Sequence, residues 1–144
     1  MQLSREGTAL ICQFEGFSPV VYRCPAGLAT IGYGHVLTPG EQLEQPMTEA
    51  KAHQLLRQDV SIAEHAVIRL ISVPLTQGQF DALVSFTFNL GAGALQRSTL
   101  RRVINRGDHA AVPTQLMRWV YAAGRILPGL IARRQAESRL YQGR

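Results

Sequence analysis

The chain has 144 residues, 46% apolar and 17% charged, so it is one domain in size, able to bury roughly 70% of its unfolded surface, and not a disordered chain. A formal charge of +5 and a pI near 9.9 favour acidic partners (nucleic acid, anionic lipid or a polyanionic cell envelope) without choosing among them. No apolar run approaches the roughly 20 residues of a membrane span, and Met1-Gln2-Leu3-Ser4-Arg5-Glu6 lacks the basic-then-apolar order of a secretory leader, so accumulation in the cytoplasm is expected.

Leu3, Gly7, Leu10, Ile11 and Phe14 recur at helical spacing and predict a helix over residues 3 to 14, with Thr8, Cys12 and Glu15 on its flank and Gly16 as its stop. Val20, Val21 and Tyr22 then favour a strand, Pro25-Ala26-Gly27 a turn, and Ala29 to Tyr33 a second strand; Pro39-Gly40 closes this segment. From Thr48 to Ile71, Ala52, Leu55, Leu56, Ala63, Ala66, Val67 and Leu70 trace one face of a helix long enough to join two lobes. Thr76 and Gln79 form a capping-box pattern ahead of Phe80, Leu83 and Val84, in a helix that runs to Gly91 and is apolar on several sides, as a central core helix is. Ser98 to Asn105 and Asp108 to Trp119 read as further helices, the second bent by Pro113, and Gly129 to Tyr141 as the last. No internal repeat is present. The expected class is α+β, a small β-containing lobe beside a larger helical one.

Cys12 and Cys24 are too few for a disulfide framework and lack zinc-ligand spacing, so free thiols and no metal are expected. The basic residues are scattered, with Arg101-Arg102 and Arg133-Arg134 the only doublets. A glutamate at a helix end is ordinarily a solvated surface residue. Glu15, however, follows Phe14, precedes Gly16 and faces a glycine-rich hairpin, and apolar neighbours are what let a carboxylic acid serve as a general acid near neutral pH. Asp59 lies on the apolar stripe of the long helix and needs a partner; His35 is the candidate, read as a structural ion pair between hairpin and helix rather than as an acid–base pair.

Taken together and in order, Glu15-Gly16, Tyr22-Arg23-Cys24-Pro25-Ala26-Gly27, Thr30-Ile31-Gly32-Tyr33-Gly34-His35, Gln58-Asp59-Val60, Phe86-Thr87-Phe88-Asn89-Leu90-Gly91, Ser98-Thr99-Leu100, Trp119 and Gly129 to Glu137 resemble the phage-type lysozyme (muramidase) family, a glycoside hydrolase family 24-like group. The resemblance covers nearly the whole chain. It implies a lysozyme-like α+β fold in a single domain, 1–144: residues 15–47 as the β-containing lobe, 1–14 and 73–144 as the helical lobe, 48–72 as the connecting helix, and a cleft between the lobes. It further implies an endolysin that hydrolyses the β-1,4 bond between N-acetylmuramic acid and N-acetylglucosamine, without a cofactor. Glu15 would be the general acid, Thr30 would help hold the attacking water, and Val36 and Phe88 would contact the saccharide. An arginine at 133 or 134 would pair with an acidic group near the cleft, or instead serve the core or face solvent.

At position 24 the family usually carries aspartate, and this chain has cysteine. Three readings are open: Cys24 as thiolate replaces the carboxylate, as base or nucleophile; the enzyme is impaired and only binds glycan; or Cys24 fills space while Glu15 and Thr30 suffice. The intact motif around Cys24 favours the first. Arg23, pointing to the opposite face of a strand, is a poor activator. A regulatory Cys12–Cys24 bond is a further idea, weaker than the reading of Cys12 as a small buried residue.

A non-catalytic peptidoglycan-binding or spanin-like accessory protein on the same fold is the alternative. A nucleic-acid partner is not expected, since the basic residues lack interleaved aromatics. Peptidoglycan is the expected partner of a monomeric chain, reached in the periplasm through a separate membrane pore. Weak contact of the arginine-rich C-terminal helix with an anionic membrane or outer-membrane surface is left open beside simple packing of its apolar side.

Overall fold

The computed structural model describes residues 1–144. Helix α1 runs Arg5–Glu15, starting later than the apolar spacing predicts. Ser4 takes the N-cap, its hydroxyl accepting the Gly7 N–H at 3.2 Å, and Leu3 packs buried just ahead of the first turn. Ser4 is itself held by the buried Asp81, through its backbone N–H at 3.0 Å and through its hydroxyl. Gly7 permits this docking: a Cβ there would stand 2.5 Å from Leu3 Cδ1 and 2.7 Å from Asp81 Cγ.

Strands β1 (Ser18–Arg23), β2 (Ala29–Gly32) and β3 (His35–Val36) form one antiparallel sheet in chain order, β3 being an addition to the predicted hairpin. Predicted as a strand through Tyr33, the second segment instead turns at Tyr33-Gly34, where Gly34 has φ +76°. Only β2 is substantially buried; Ile31 is its core residue, and β2 and β3 rest on α2, residues Glu49–Leu70. Thr48 caps α2 by accepting the Lys51 N–H at 3.1 Å, and at 1.5 Å per residue the helix spans roughly 33 Å. It runs from the sheet to the helical side of the molecule, packing on β2 and β3 and also on the helices Gln77–Leu90 and Ala92–Arg97.

Helix α3 (Gln77–Leu90) has the capping box expected at Thr76 and Gln79, and every residue from Phe80 to Thr87 is buried. It is the core helix, in contact with α1, α2 and the helices Ala92–Arg97 and Pro128–Tyr141. Helix α4 (Ala92–Arg97) was not foreseen, since six residues are too few to display a period. Ser98 caps α5 (Thr99–Asn105), accepting the Arg101 N–H at 3.0 Å.

The predicted bent helix over 108–119 is corrected. A 3₁₀ turn at His109–Ala111 leads into α6 (Val112–Leu116), and Pro113 sits in the first turn of α6, where a missing N–H costs nothing, so it starts a helix instead of bending one. A small hairpin follows, β4 (Tyr121–Ala122) and β5 (Arg125–Ile126). Its turn residues, Ala123 at φ 52° and Gly124 at φ 76°, need left-handed backbone, and Ala-Gly lacks the Asn-Gly signature that announces such a turn. Helix α7 (Pro128–Tyr141) closes the chain and buries Arg133, Arg134, Glu137 and Tyr141, a largely polar face.

His35 ties three segments together. Its Nδ1 is 2.8 Å from Asp59 Oδ2 on α2, and its Nε2 is 3.0 Å from Glu41 Oε2 in the loop after β3, a second carboxylate that sequence reasoning missed. Burial works against the imidazolium, but the hydrogen bonds and charges of Asp59 and Glu41 outweigh it, and the His35 pKa lies above its ordinary value. The Glu41 carboxyl is held below its ordinary value, first by the Thr38 backbone N–H and then by His35. The imidazolium's contribution is therefore complete below the unfolded pKa of about 6.5 and lost as pH rises through the higher folded value. Glu41 acts in the opposite sense: its contribution is present above the ordinary carboxylate value and lost as pH falls through the depressed folded value. His35→Gln is expected to cost about 2 kcal/mol near pH 5.5, a charge-assisted contact discounted for partial exposure, and less by about pH 8.5. Thermal melts of both proteins across that range measure it; a gap independent of pH would mean that packing, not charge, is lost.

Candidate active site

Glu15 is the last residue of α1, and Gly16 at φ 72° turns the chain away toward the sheet, its N–H capping Cys12 O at 2.9 Å. The carboxyl is gripped from both sides. Arg133 Nη1 of α7 donates to Glu15 Oε2 at 2.7 Å, and Oε1 faces Gly34 so closely that a Cβ there would lie 2.6 Å away. With its positive φ as well, position 34 accepts only glycine without displacing the carboxyl. Of the arginine alternatives read from the sequence, Arg133 takes the cleft acid, while Arg134 is buried with Glu137.

The facing wall is the β1–β2 hairpin. Cys24 N–H donates to Leu28 O at 3.0 Å, Gly27 N–H to Cys24 O at 2.7 Å, and Arg23 Nη1 to Gly27 O at 2.8 Å, so Arg23 braces the turn. The Cys24 thiol is held below its ordinary value, foremost by hydrogen bonding with the Leu28 backbone, against slight desolvation, and then by the Thr30 hydroxyl and the Ala26 backbone. Thr30 is 2% exposed, and its hydroxyl donates to Leu28 O at 2.9 Å.

Between these walls lies a cleft of about 630 Å³. Glu15, Cys24, Thr30, Val36 and Phe88 all line it, and so does Asp59, whereas His35 stands outside the lining, behind Asp59. Tyr22 and Asn89 line it too and were not singled out from the sequence; Asn89 adjoins Phe88 in the last turn of α3, the one signal available. Burial, then the charges of Glu15 and Cys24, raise the Tyr22 pKa, so its hydroxyl stays neutral.

Cys12 is corrected. Both thiols are free, and Cys12 opens onto a different cavity, lined also by Ser4, Thr8 and His53. A three-residue step leaves Cys12 about 60° around the helix from Glu15, and it lines this second cavity and not the cleft. Burial, then Glu49 and also Glu15, push its thiol pKa up, which makes it a poor nucleophile.

A carboxyl facing a thiol of lowered pKa and a hydroxyl across an open groove is suited to acid-assisted bond cleavage by water. The family model for phage lysozymes matches residues 12–137. The endolysin of Acyrthosiphon pisum secondary endosymbiont phage 1 is 38% identical over 146 residues, 99% of each chain. Among solved structures, the endolysin from Escherichia coli O157:H7 phage FAHEc1 superposes with a TM-score of 0.88 at 38% identity, covering 98% of this chain and 93% of that one. The muramidase domain of SpmX from Asticaccaulis excentricus superposes with a TM-score of 0.88 at 37% identity, covering 97% of each. Sequence, fold and cleft agree: the chain belongs to the phage lysozyme family.

Proposed function

We propose that this chain is an endolysin that hydrolyses the β-1,4 bond between N-acetylmuramic acid and N-acetylglucosamine in peptidoglycan, for lysis of a bacterial host. The observation that carries the reading is the sharing of one cleft by Glu15, Cys24 and Thr30, in a chain whose relatives are named endolysin and muramidase. Glu15 protonates the glycosidic oxygen as the bond breaks, and the oxocarbenium-like sugar is met by water from the opposite face. The Cys24 thiolate takes a proton from that water while the Thr30 hydroxyl holds it, and Val36 and Phe88 contact the sugars. No cofactor takes part. Residues 15–47 and the helical remainder act as lobes about the connecting helix 48–72, closing on the glycan strand.

The net charge of +5 favours approach to an anionic envelope. No helix is long and apolar enough to cross a membrane, and we place accumulation of a monomer in the host cytoplasm and action in the periplasm after the membrane is permeabilised. The non-catalytic alternative has no observation in its favour.

Purified peptidoglycan digested with the protein tests the chemistry. Fragments whose new reducing ends are intact N-acetylmuramic acid are expected by mass spectrometry and NMR. Reducing ends on N-acetylglucosamine, anhydro-sugar ends, or cut peptides with intact glycan would each refute the assignment.

A further inference from the structure

Behind the cleft lies a buried carboxylate that the mechanism above does not use. Glu137 on α7 is 0% exposed, and two arginines, 4% and 0% exposed, converge on it. Arg134 Nε is 2.8 Å from Glu137 Oε1, an ion contact without hydrogen-bond alignment, and Arg134 Nη2 is 3.3 Å from Oε2. Arg133 Nε lies 3.5 Å from Glu137 Oε2. Ser85 of α3 joins them: its hydroxyl donates to Glu137 Oε2 at 2.6 Å and accepts from Arg133 Nε at 3.3 Å, while its carbonyl accepts Arg133 Nη2 at 3.3 Å.

From this hub the arginines diverge to the cleft. Arg133 Nη1 reaches Glu15 at 2.7 Å, and Arg134 Nη2 reaches Asn89 Oδ1 at 2.6 Å, both of them groups that line the groove. We propose that Glu137 is a positioning residue for catalysis: with Ser85 it shares out the hydrogen bonds of Arg133, and so sets how strongly that guanidinium holds the Glu15 carboxyl. The proposal rests on the reading of Glu15 as general acid.

Four charges balance one another here. Arg133 and Arg134 are permanently cationic, and Glu15 and Glu137 are the carboxylates within their reach. Burial pushes the Glu137 carboxyl up from its ordinary value, and the charges of Arg134 and Arg133 and the Ser85 hydroxyl pull it back, so its anion depends on those donors. Besides Arg133, the titratable groups around Glu15 are Tyr22 on β1 and Cys24 across the cleft, with Cys12 nearby on its own helix. Without the Glu137 charge, Arg133 has Glu15 as its only carboxylate partner and draws it toward the anion, the form unable to donate a proton. While Glu137 is in place, the guanidinium is shared between the two carboxylates.

The test is the pH profile of kcat/KM on peptidoglycan for wild type, Glu137→Gln, Ser85→Ala and Glu15→Gln. In Glu137→Gln the alkaline limb, set by the general acid, is expected to move down by on the order of one pH unit, a tenfold loss above the limb. Ser85→Ala, which alters no charge, is expected to move it in the same direction by less. An unmoved limb in Glu137→Gln, even with a lower melting temperature, overturns the proposal; should that variant fail to fold, an unmoved limb in Ser85→Ala does so. Glu15→Gln separates the two ideas. If it stays active, the reading of Glu15 itself is wrong; if it is inactive while the other limbs stay put, only the role of Glu137 falls.

Discussion

Glu15→Gln is expected to lower kcat by on the order of 10³–10⁴-fold and to leave the fold in place, because it removes the transferable proton and almost nothing else. The amide has the shape of the carboxyl, and its oxygen still accepts from Arg133 Nη1, now held at 2.7 Å from Oε2. Gly34 leaves room for the terminal group on the other side. Arg133 keeps Ser85 and Glu137 as partners, so the substitution does not strand a buried cation. Clearing of outer-membrane-permeabilised Gram-negative cells reads the activity, and thermal melting reads the fold. A folded variant that clears cells like wild type would show that the proton comes from elsewhere.

The arrangement that makes Glu15 useful is assembled from four remote pieces of chain: the end of α1, the turn after β2, the hairpin carrying Cys24, and the second turn of α7. No single one is informative in sequence. Glu15 alone reads as a surface residue; what raised it above that was its place between Phe14 and Gly16 and the ordered motifs downstream. The long helix and the core helix were legible because 22 and 14 residues give the apolar period room to repeat, and the capping box at Thr76 marks its start. Short elements were not. β3 and the β4–β5 hairpin hold two residues per strand, too few for any alternation to appear.

Charged residues were the hardest to place. For Arg133-Arg134 the sequence leaves cleft, core and solvent roles open; both side chains are buried, because Glu137 lies three and four residues further along the same helix and α3 supplies Ser85 and Asn89. That face of α7 is polar and internal, so the apolar packing anticipated for the last helix is only part of what holds it. The His35–Asp59 contact was foreseen from a carboxylate on an apolar stripe, whereas Glu41 sits in an irregular loop with no pattern to flag it.

The sharpest dependence on a single atom is expected at Cys24. If its thiolate is the base that activates water, Cys24→Ser loses on the order of 10²–10⁴-fold in kcat, since a hydroxyl cannot take up the proton at neutral pH. Cys24→Asp is expected to restore the rate and to displace the acid limb of kcat/KM downward by several pH units, from a thiol titration to that of a carboxylate near about 3.9. In wild type that limb lies below the ordinary thiol value, because the Leu28 backbone, Thr30 and Ala26 favour the sulfur anion. The stereochemistry is independent of the rate. A thiolate acting on water inverts the anomeric carbon, so NMR of the first-formed sugar is expected to show the α-anomer in wild type and in Cys24→Asp alike, whereas attack by sulfur on carbon would give retention. Equal rates, acid limbs and anomers in wild type and Cys24→Ser would reduce Cys24 to a space-filling residue and leave Glu15 and Thr30 as the whole of the machinery.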